Sequence, residues 1–248
     1  MLIRTVVERV NGRVPTFFGA AGRCLKDAVR NAQEIEALGG DYIMLTSPII
    51  GNLSGNDLFN YYKTTCESVK LPFIVQDTGA STYSYTTELM VRLFDEIENI
   101  GYVKAEGAGD GWLLRLADLV EKTDGRVTVI GGAAGVNMLQ VLRLGVRAFM
   151  TGTEAAEIHN AVVSAWLSGD EDLAIDLYYT TLRPYMDMYW TNHRCFLKYM
   201  LYKRGIVKNP SQLLPRDAPE LTEFQKWEMD WILERIRTNR IKCSRYPA

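Results

Sequence analysis

The sequence predicts an α/β protein built on a parallel sheet, and three observations carry that prediction. Short apolar runs of strand length recur at regular spacing from Val14, amphipathic helical stretches fill the gaps, and the alternation stops after Thr153. The runs are VPTFFG from Val14, DYIMLT from Asp41, LPFIVQ from Leu71, GYVKAE from Gly101, RVTVIGG from Arg126 and VRAFMTG from Val146. Their starts lie 27, 30, 30, 25 and 20 residues apart. The first helical gap carries Leu25, Ala28, Val29, Ala32, Ile35 and Leu38 at helical spacing and stops at Gly39-Gly40. A second carries Met90, Leu93, Phe94 and Ile97, and a third Leu113, Leu116, Leu119 and Val120. Strands flanked by helices in this order belong to a sheet covered on both faces, either a (β/α) barrel or an open doubly wound sheet.

The two ends read differently. Residues before Asn11-Gly12 form a helical pattern, so the chain is expected to start in mid-unit. After Thr153 three helical stretches follow, at about 155–182, 184–205 and 219–240 by periodicity. The division expected is residues 1–154 for the sheet and its helices and 155–248 for a helical C-terminal part. Gly205, Pro210, Pro215 and Pro219 mark a linker before the last helix, whose apolar side is expected to be Phe224, Trp227, Trp231, Leu233 and Ile236. Tyr178, Tyr179, Tyr185, Tyr189 and Trp190 are expected to pack a core or a subunit interface.

Composition narrows the function. Twenty-eight Lys and Arg against 30 Asp and Glu, a net charge of -2, give no footprint for nucleic acid. No apolar stretch approaches the roughly 18 residues of a membrane span, and the start lacks the pattern of a signal peptide, so the expectation is a cytoplasmic protein. Cys24, Cys66, Cys195 and Cys243 show no metal-ligand spacing and are expected to be free thiols, and no metal site is expected.

Lys104 is the most informative residue. Alternation along GYVKAEG sets Tyr102, Lys104 and Glu106 on one face and Gly101, Val103 and Ala105 on the other. Lysine inside a strand is costly unless it is paired or gives up its proton. A desolvated amine at the C-terminal end of a parallel strand is what Schiff-base chemistry uses, because a neutral amine attacks a ketone and the resulting iminium withdraws electrons. A buried ion pair with Glu106, or a lysine reaching solvent from an edge strand, accounts for the same pattern. GGAAG, from Gly131 to Gly135, either offers backbone N–H groups to an anion or makes a tight turn with positive φ. Thr151-Gly152-Thr153 carries the same ambiguity. Gln76 and Asp77 end a strand where a barrel places active-site groups, with Asp77 also a natural turn residue. His159 and His193 stand apart from any nucleophile and read as structural.

GYVKAEG, together with RVPTFFGAAG, GGDYIMLTSP and the run from Gly131 to Gly152, resembles the dihydrodipicolinate synthase and N-acetylneuraminate lyase family of class I aldolases and dehydratases, over nearly the whole chain. The resemblance implies a (β/α)8 TIM barrel with a helical C-terminal subdomain, homo-oligomers (tetramers or dimers), no cofactor, and a 2-keto acid such as pyruvate as substrate. It also implies that Lys104 forms the Schiff base, with Glu106 tuning or relaying its proton and Gln76 orienting substrate. Thr46, Gly131, Gly132 and Thr151 would line the pocket from neighbouring strand ends. Gln76 stands where the best-known members have a tyrosine, and with Glu106 this is similar to the subgroup of 2-keto-3-deoxy sugar acid dehydratases. The family's Gly-Thr-Thr-Gly-Glu segment would precede Met1, since RTVVERVNGRVPT resembles the helix after it. A barrel lacking its first two strands is therefore expected, and a catalytically inactive remnant is the alternative to an active lyase.

Overall fold

The computed structural model describes residues 1–48, 53–78, 85–106, 111–211 and 221–243, the side chains of 191–195 and 239–243 apart. It divides into two compact units, Met1–Ala133 and Ala134–Ala248.

The first unit opens with α1 (Leu2–Val10), which Asn11 and Gly12 end in left-handed conformations, φ 49° and 69°. Then β1 (Phe17–Gly19), β2 (Tyr42–Thr46), β3 (Phe73–Asp77), β4 (Ile100–Ala105) and β5 (Thr128–Gly131) alternate with α2 (Leu25–Ala37), α3 (Gly55–Cys66), α4 (Thr87–Glu96) and α5 (Trp112–Thr123). The strands lie side by side in chain order and all pairings are parallel. The three helices for which spacing predicts a stripe bury most of its centre: Ala28, Ala32 and Ile35 on α2, Met90 and Leu93 on α4, Leu116 and Leu119 on α5, while Leu25 at the start of α2 is exposed. Helix starts are fixed locally. Ser54 and Asp57 exchange side-chain and backbone hydrogen bonds at the head of α3 (3.2 and 2.9 Å), and Thr86 caps α4 by accepting from the Leu89 N–H at 3.2 Å.

β2 alternates along its length, and β4 does so from Tyr102 to Ala105. Val103 and Ala105 are buried against the helices, whereas Tyr102 and Lys104 on the opposite face are half-buried. The face that holds Lys104 is thus the face on which β2 shows Tyr42, Met44 and Thr46.

The second unit holds α6 (Met138–Arg143), β6 (Ala148–Phe149), α7 (Ala156–Leu167), α8 (Glu171–Leu177), α9 (Arg183–Lys203) and α10 (Glu223–Cys243). The helical stretch expected over 155–182 is two helices and a π-helical turn at Tyr178–Leu182, broken at Ser168-Gly169-Asp170, where Gly169 has φ 85° and Asp170 caps α8. The expected side of the last helix is corrected in part, since Ile236 is buried and Leu233 partly buried as expected but the three aromatic residues are not. α10 buries Met229, Ile232 and Ile236, and leaves Phe224, Trp227 and Trp231 exposed at 64, 62 and 44%. The helix carries two apolar stripes on opposite sides, and the smaller residues are the ones that pack. Tyr178 and Tyr185 are buried as expected, while Tyr179 and Trp190 are exposed. Pro215, Pro219 and the His193 side chain lie outside the described residues.

Candidate active site

Register builds the site. Thr46 on β2 is opposite Gln76 on β3, Gln76 is opposite Lys104 on β4, and Lys104 is opposite Ile130 on β5. These residues form one row across the sheet, near the C-terminal ends of their strands. The ladder continues one step further, where the Glu106 N–H donates to the Asp77 carbonyl (2.8 Å) and the Gly132 N–H donates to the Ala105 carbonyl (2.9 Å). That step brings Glu106 over the row.

The Lys104 Nζ lies 2.9 Å from Glu106 Oε1, with the two side chains 12 and 20% exposed. The Gln76 amide donates to the other carboxylate oxygen, Glu106 Oε2. Both oxygens of Glu106 therefore have charged or amide partners, which is what a largely desolvated carboxylate requires. The ion pair with Glu106 that the sequence offers as an alternative account of Lys104 is present. It does not exclude the nucleophilic role, because the partner that holds an ammonium is also the group that can take its proton.

Gly132 makes room for this arrangement. A Cβ placed on it would lie 2.3 Å from Glu106 Cγ and 3.1 Å from Cδ and Oε1. Glu106 thus folds over a bare backbone, and any side chain at 132 displaces it. Gly131 pairs with Ala105 at the end of β5. The positive φ expected somewhere in GGAAG falls on Ala133, Ala134 and Gly135 (50°, 53° and 83°), not on the first two glycines. Left-handed alanine costs about 1–2 kcal/mol per residue. The turn is held in part by His159, whose Nε2 meets the Ala134 carbonyl and whose Nδ1 meets the Ala155 carbonyl, both at 2.9 Å. This is the structural histidine that the sequence suggests.

Thr151 is the remaining residue expected to line the pocket. It belongs to the second unit, half-buried just after β6. There Gly152 repeats the device of Gly132, since its Cβ would lie 2.3 Å from Glu154 Oε1. Glu154, 2% exposed, accepts from the Tyr185 hydroxyl, and Arg204 donates to the Glu154 carbonyl and, at 2.7 and 3.1 Å, to both oxygens of Glu157. Burial, and then the neighbouring Glu154 carboxylate, push the Tyr185 phenol above its ordinary range. Of this cluster the sequence pattern singled out only Tyr185, as a packing residue.

Two tyrosines behind β2 were also not anticipated. Tyr62 on α3 donates to the Leu45 carbonyl at 3.0 Å, its oxygen lies 2.7 Å from the Tyr85 hydroxyl, and the Ser47 N–H donates to Tyr85 at 3.1 Å. Burial pushes both phenols above their ordinary range. The available signal was Tyr62 within the apolar stripe of α3, because a tyrosine there has to find a partner for its hydroxyl.

Among the described residues there is no group of three or more His, Cys, Asp or Glu placed to hold a metal, and no helix long and apolar enough to cross a membrane.

The model of the dihydrodipicolinate synthetase family matches residues 1–233. The chain belongs to that family. It is 24% identical to a 4-hydroxy-tetrahydrodipicolinate synthase of Phocaeicola vulgatus, over 97% of this chain and 78% of the relative. An L-2-keto-3-deoxyarabonate dehydratase of Azospirillum brasilense is 26% identical over 72% of this chain and 58% of its own. The fold is shared with the solved 4-hydroxy-tetrahydrodipicolinate synthase of Methylacidiphilum fumariolicum SolV, at TM-score 0.86 and 21% identity over 99% of this chain and 81% of that one. It is also shared with a prophage protein of the family from E. coli K12, solved in complex with pyruvate, at TM-score 0.80 and 23% identity over 95% and 80%. The α/β fold, with six strands among the described residues, is thus shared with solved members of this family.

Proposed function

We infer that the chain is a Schiff-base-forming lyase acting on a 2-keto acid, with a 2-keto-3-deoxy sugar acid as the favoured substrate class. The observation that carries the reading is the Lys104–Glu106–Gln76 arrangement: an amine, a carboxylate and an amide held together at strand ends on one face of the sheet.

Glu106 accepts a proton from the Lys104 ammonium, and the freed amine lone pair attacks the substrate's ketone carbon. The carbonyl oxygen leaves as water, giving an iminium that acidifies the proton on the adjacent carbon. Transfer of that proton to a base gives an enamine, the enamine expels the β-hydroxyl as water, and hydrolysis returns the 2-keto product and free Lys104. Gln76 neither accepts nor releases protons near neutral pH, so its part is to orient substrate and Glu106 by hydrogen bonds. Dehydration rather than carbon–carbon bond formation is favoured by Gln76 and by the dehydratase among the relatives. Thr46, Gly131 and Gly132 complete the pocket in this reading.

Borohydride reduction in the presence of pyruvate or a 2-keto-3-deoxy sugar acid, followed by peptide mass mapping, tests it. An adduct on Lys104 that is lost in Lys104→Ala is expected. Folded protein that gives no adduct with either compound overturns the reading. Self-association is part of the proposal, supported by the exposed Phe224, Trp227 and Trp231, and sedimentation equilibrium reads it.

A further inference from the structure

The hydroxyls of Tyr62 and Tyr85 form a chain whose direction is fixed. The single proton of Tyr62 goes to the Leu45 carbonyl, so the Tyr62 oxygen accepts from Tyr85, and the Tyr85 oxygen accepts the Ser47 N–H. All members are buried: Tyr62 is 0%, Tyr85 3% and Ser47 6% exposed. The rings meet at 6.3 Å in an edge-on arrangement.

The two ends of the chain grip the peptide groups on either side of Thr46, the last residue of β2. The Leu45 carbonyl belongs to the peptide plane before Thr46, and the Ser47 N–H belongs to the plane after it. Peptide planes are rigid, so the only torsions between these two are φ and ψ of Thr46. Holding both planes therefore fixes the backbone of Thr46 and the direction in which its side chain leaves the strand. Thr46 stands on the opposite face of β2 from Leu45 and Ser47, opposite Gln76 in register.

We propose that Tyr62 and Tyr85 are positioning residues that clamp Thr46 from behind the sheet, so that its hydroxyl is presented to the 2-keto acid at a fixed angle. This rests on the reading of the Lys104 site given above, and the two can fail separately.

The test combines a spectroscopic and a kinetic readout. In the unsubstituted chain the Thr46 methyl group, followed by NMR, should show one side-chain rotamer, and the Ser47 amide should exchange slowly. Tyr85→Phe removes the acceptor of the Ser47 N–H and the donor to Tyr62. It should average the Thr46 rotamer, speed Ser47 exchange about tenfold or more, and raise the KM for the keto acid by about two- to tenfold, the range of a single hydrogen bond, with a smaller change in kcat. In a Thr46→Ala background Tyr85→Phe should add nothing to KM, an outcome that a purely structural role would not produce. Tyr62→Phe, which frees the Leu45 carbonyl and leaves the Ser47 bond, should loosen Thr46 in the same sense should Tyr85→Phe fold poorly. A single Thr46 rotamer retained in both variants, or KM losses that multiply in the double variant, would overturn the clamp. Absence of a Lys104 adduct would overturn the Schiff-base reading alone, since the rotamer and exchange measurements need no activity.

Discussion

Gly132→Ala is the substitution that the site should tolerate least for its size. The added methyl would sit 2.3 Å from Glu106 Cγ, which no Cβ contact sustains, so Glu106 has to leave its place over the backbone. Overpacking of this kind costs about 1–3 kcal/mol, which for a chain of this length corresponds to roughly 2–12 °C in Tm. The displaced carboxylate also abandons Lys104 at 2.9 Å, a pair with a gross Coulomb attraction of about 6 kcal/mol at an effective dielectric of 20, most of it offset by desolvation. Loss of 1–3 kcal/mol at the reacting centre slows adduct formation about 5- to 150-fold. Thermal unfolding and timed borohydride trapping measure both effects, and Glu106→Ala supplies the control because it removes Cγ. In that background Gly132→Ala should shift Tm by no more than about 2 °C, as expected of a pair whose only conflict has been deleted. A Tm loss as large in the Glu106→Ala background as in the parent would show that the methyl meets something other than Glu106, and the reasoning would be wrong.

Lys104→Arg keeps a cation beside Glu106 but cannot form an imine, so it should retain the fold by circular dichroism and give no adduct. Gln76→Leu removes the amide that donates to Glu106, and adduct formation should slow about tenfold with Tm nearly unchanged, as read by the same trapping assay. Asp41 is held below the usual carboxylate range by the Thr16 N–H and then by the Thr16 hydroxyl, at 2.7 and 2.8 Å. Its stabilisation is present above the unfolded value of about 4 and disappears as pH falls through the lower folded value, so Asp41→Asn should lower Tm at neutral pH and make no difference in strong acid. Tyr62 and Tyr85 behave with the opposite sign. Their phenols keep their protons beyond the ordinary value of about 10, so stability should fall as pH rises past that point, with their phenolate absorbance appearing only on unfolding.

Much of this was legible before any coordinates because it depends on period and position. Alternation through GYVKAEG assigned Lys104 and Glu106 to one face, and the six runs marked six strands. What the sequence concealed are contacts between elements. Phe224, Trp227 and Trp231 outweigh Met229, Ile232 and Ile236 in apolar area, yet the second set packs, because α10 has stripes on both sides and only its neighbours decide which is buried. Ala133 and Ala134 carry no mark of a left-handed turn. That strain becomes visible only with the carbonyl contacts of His159. The significance of Gly132 lies in the path of a glutamate 26 residues earlier in the chain. The tyrosine pair behind Thr46 depends on a hydroxyl from α3 meeting one from the segment before α4, which no local pattern encodes.

The chain-order arrangement of the first five strands bears on how the protein is made. Phe17 pairs with Tyr42, Ile43 with Phe73, Ile74 with Tyr102 and Tyr102 with Thr128, so each new strand finds its partner 25 to 30 residues back along the chain. No early strand has to wait for a late one, and closing each segment carries a similar, modest entropic cost. On a ribosome the sheet can grow one strand at a time. Thr46, Gln76, Lys104 and Glu106 all come into register once the chain has emerged as far as Glu106, and emergence to Gly132 completes the backbone that Glu106 covers. The residues of the proposed site can thus be assembled while the helices of the second unit are still being synthesised.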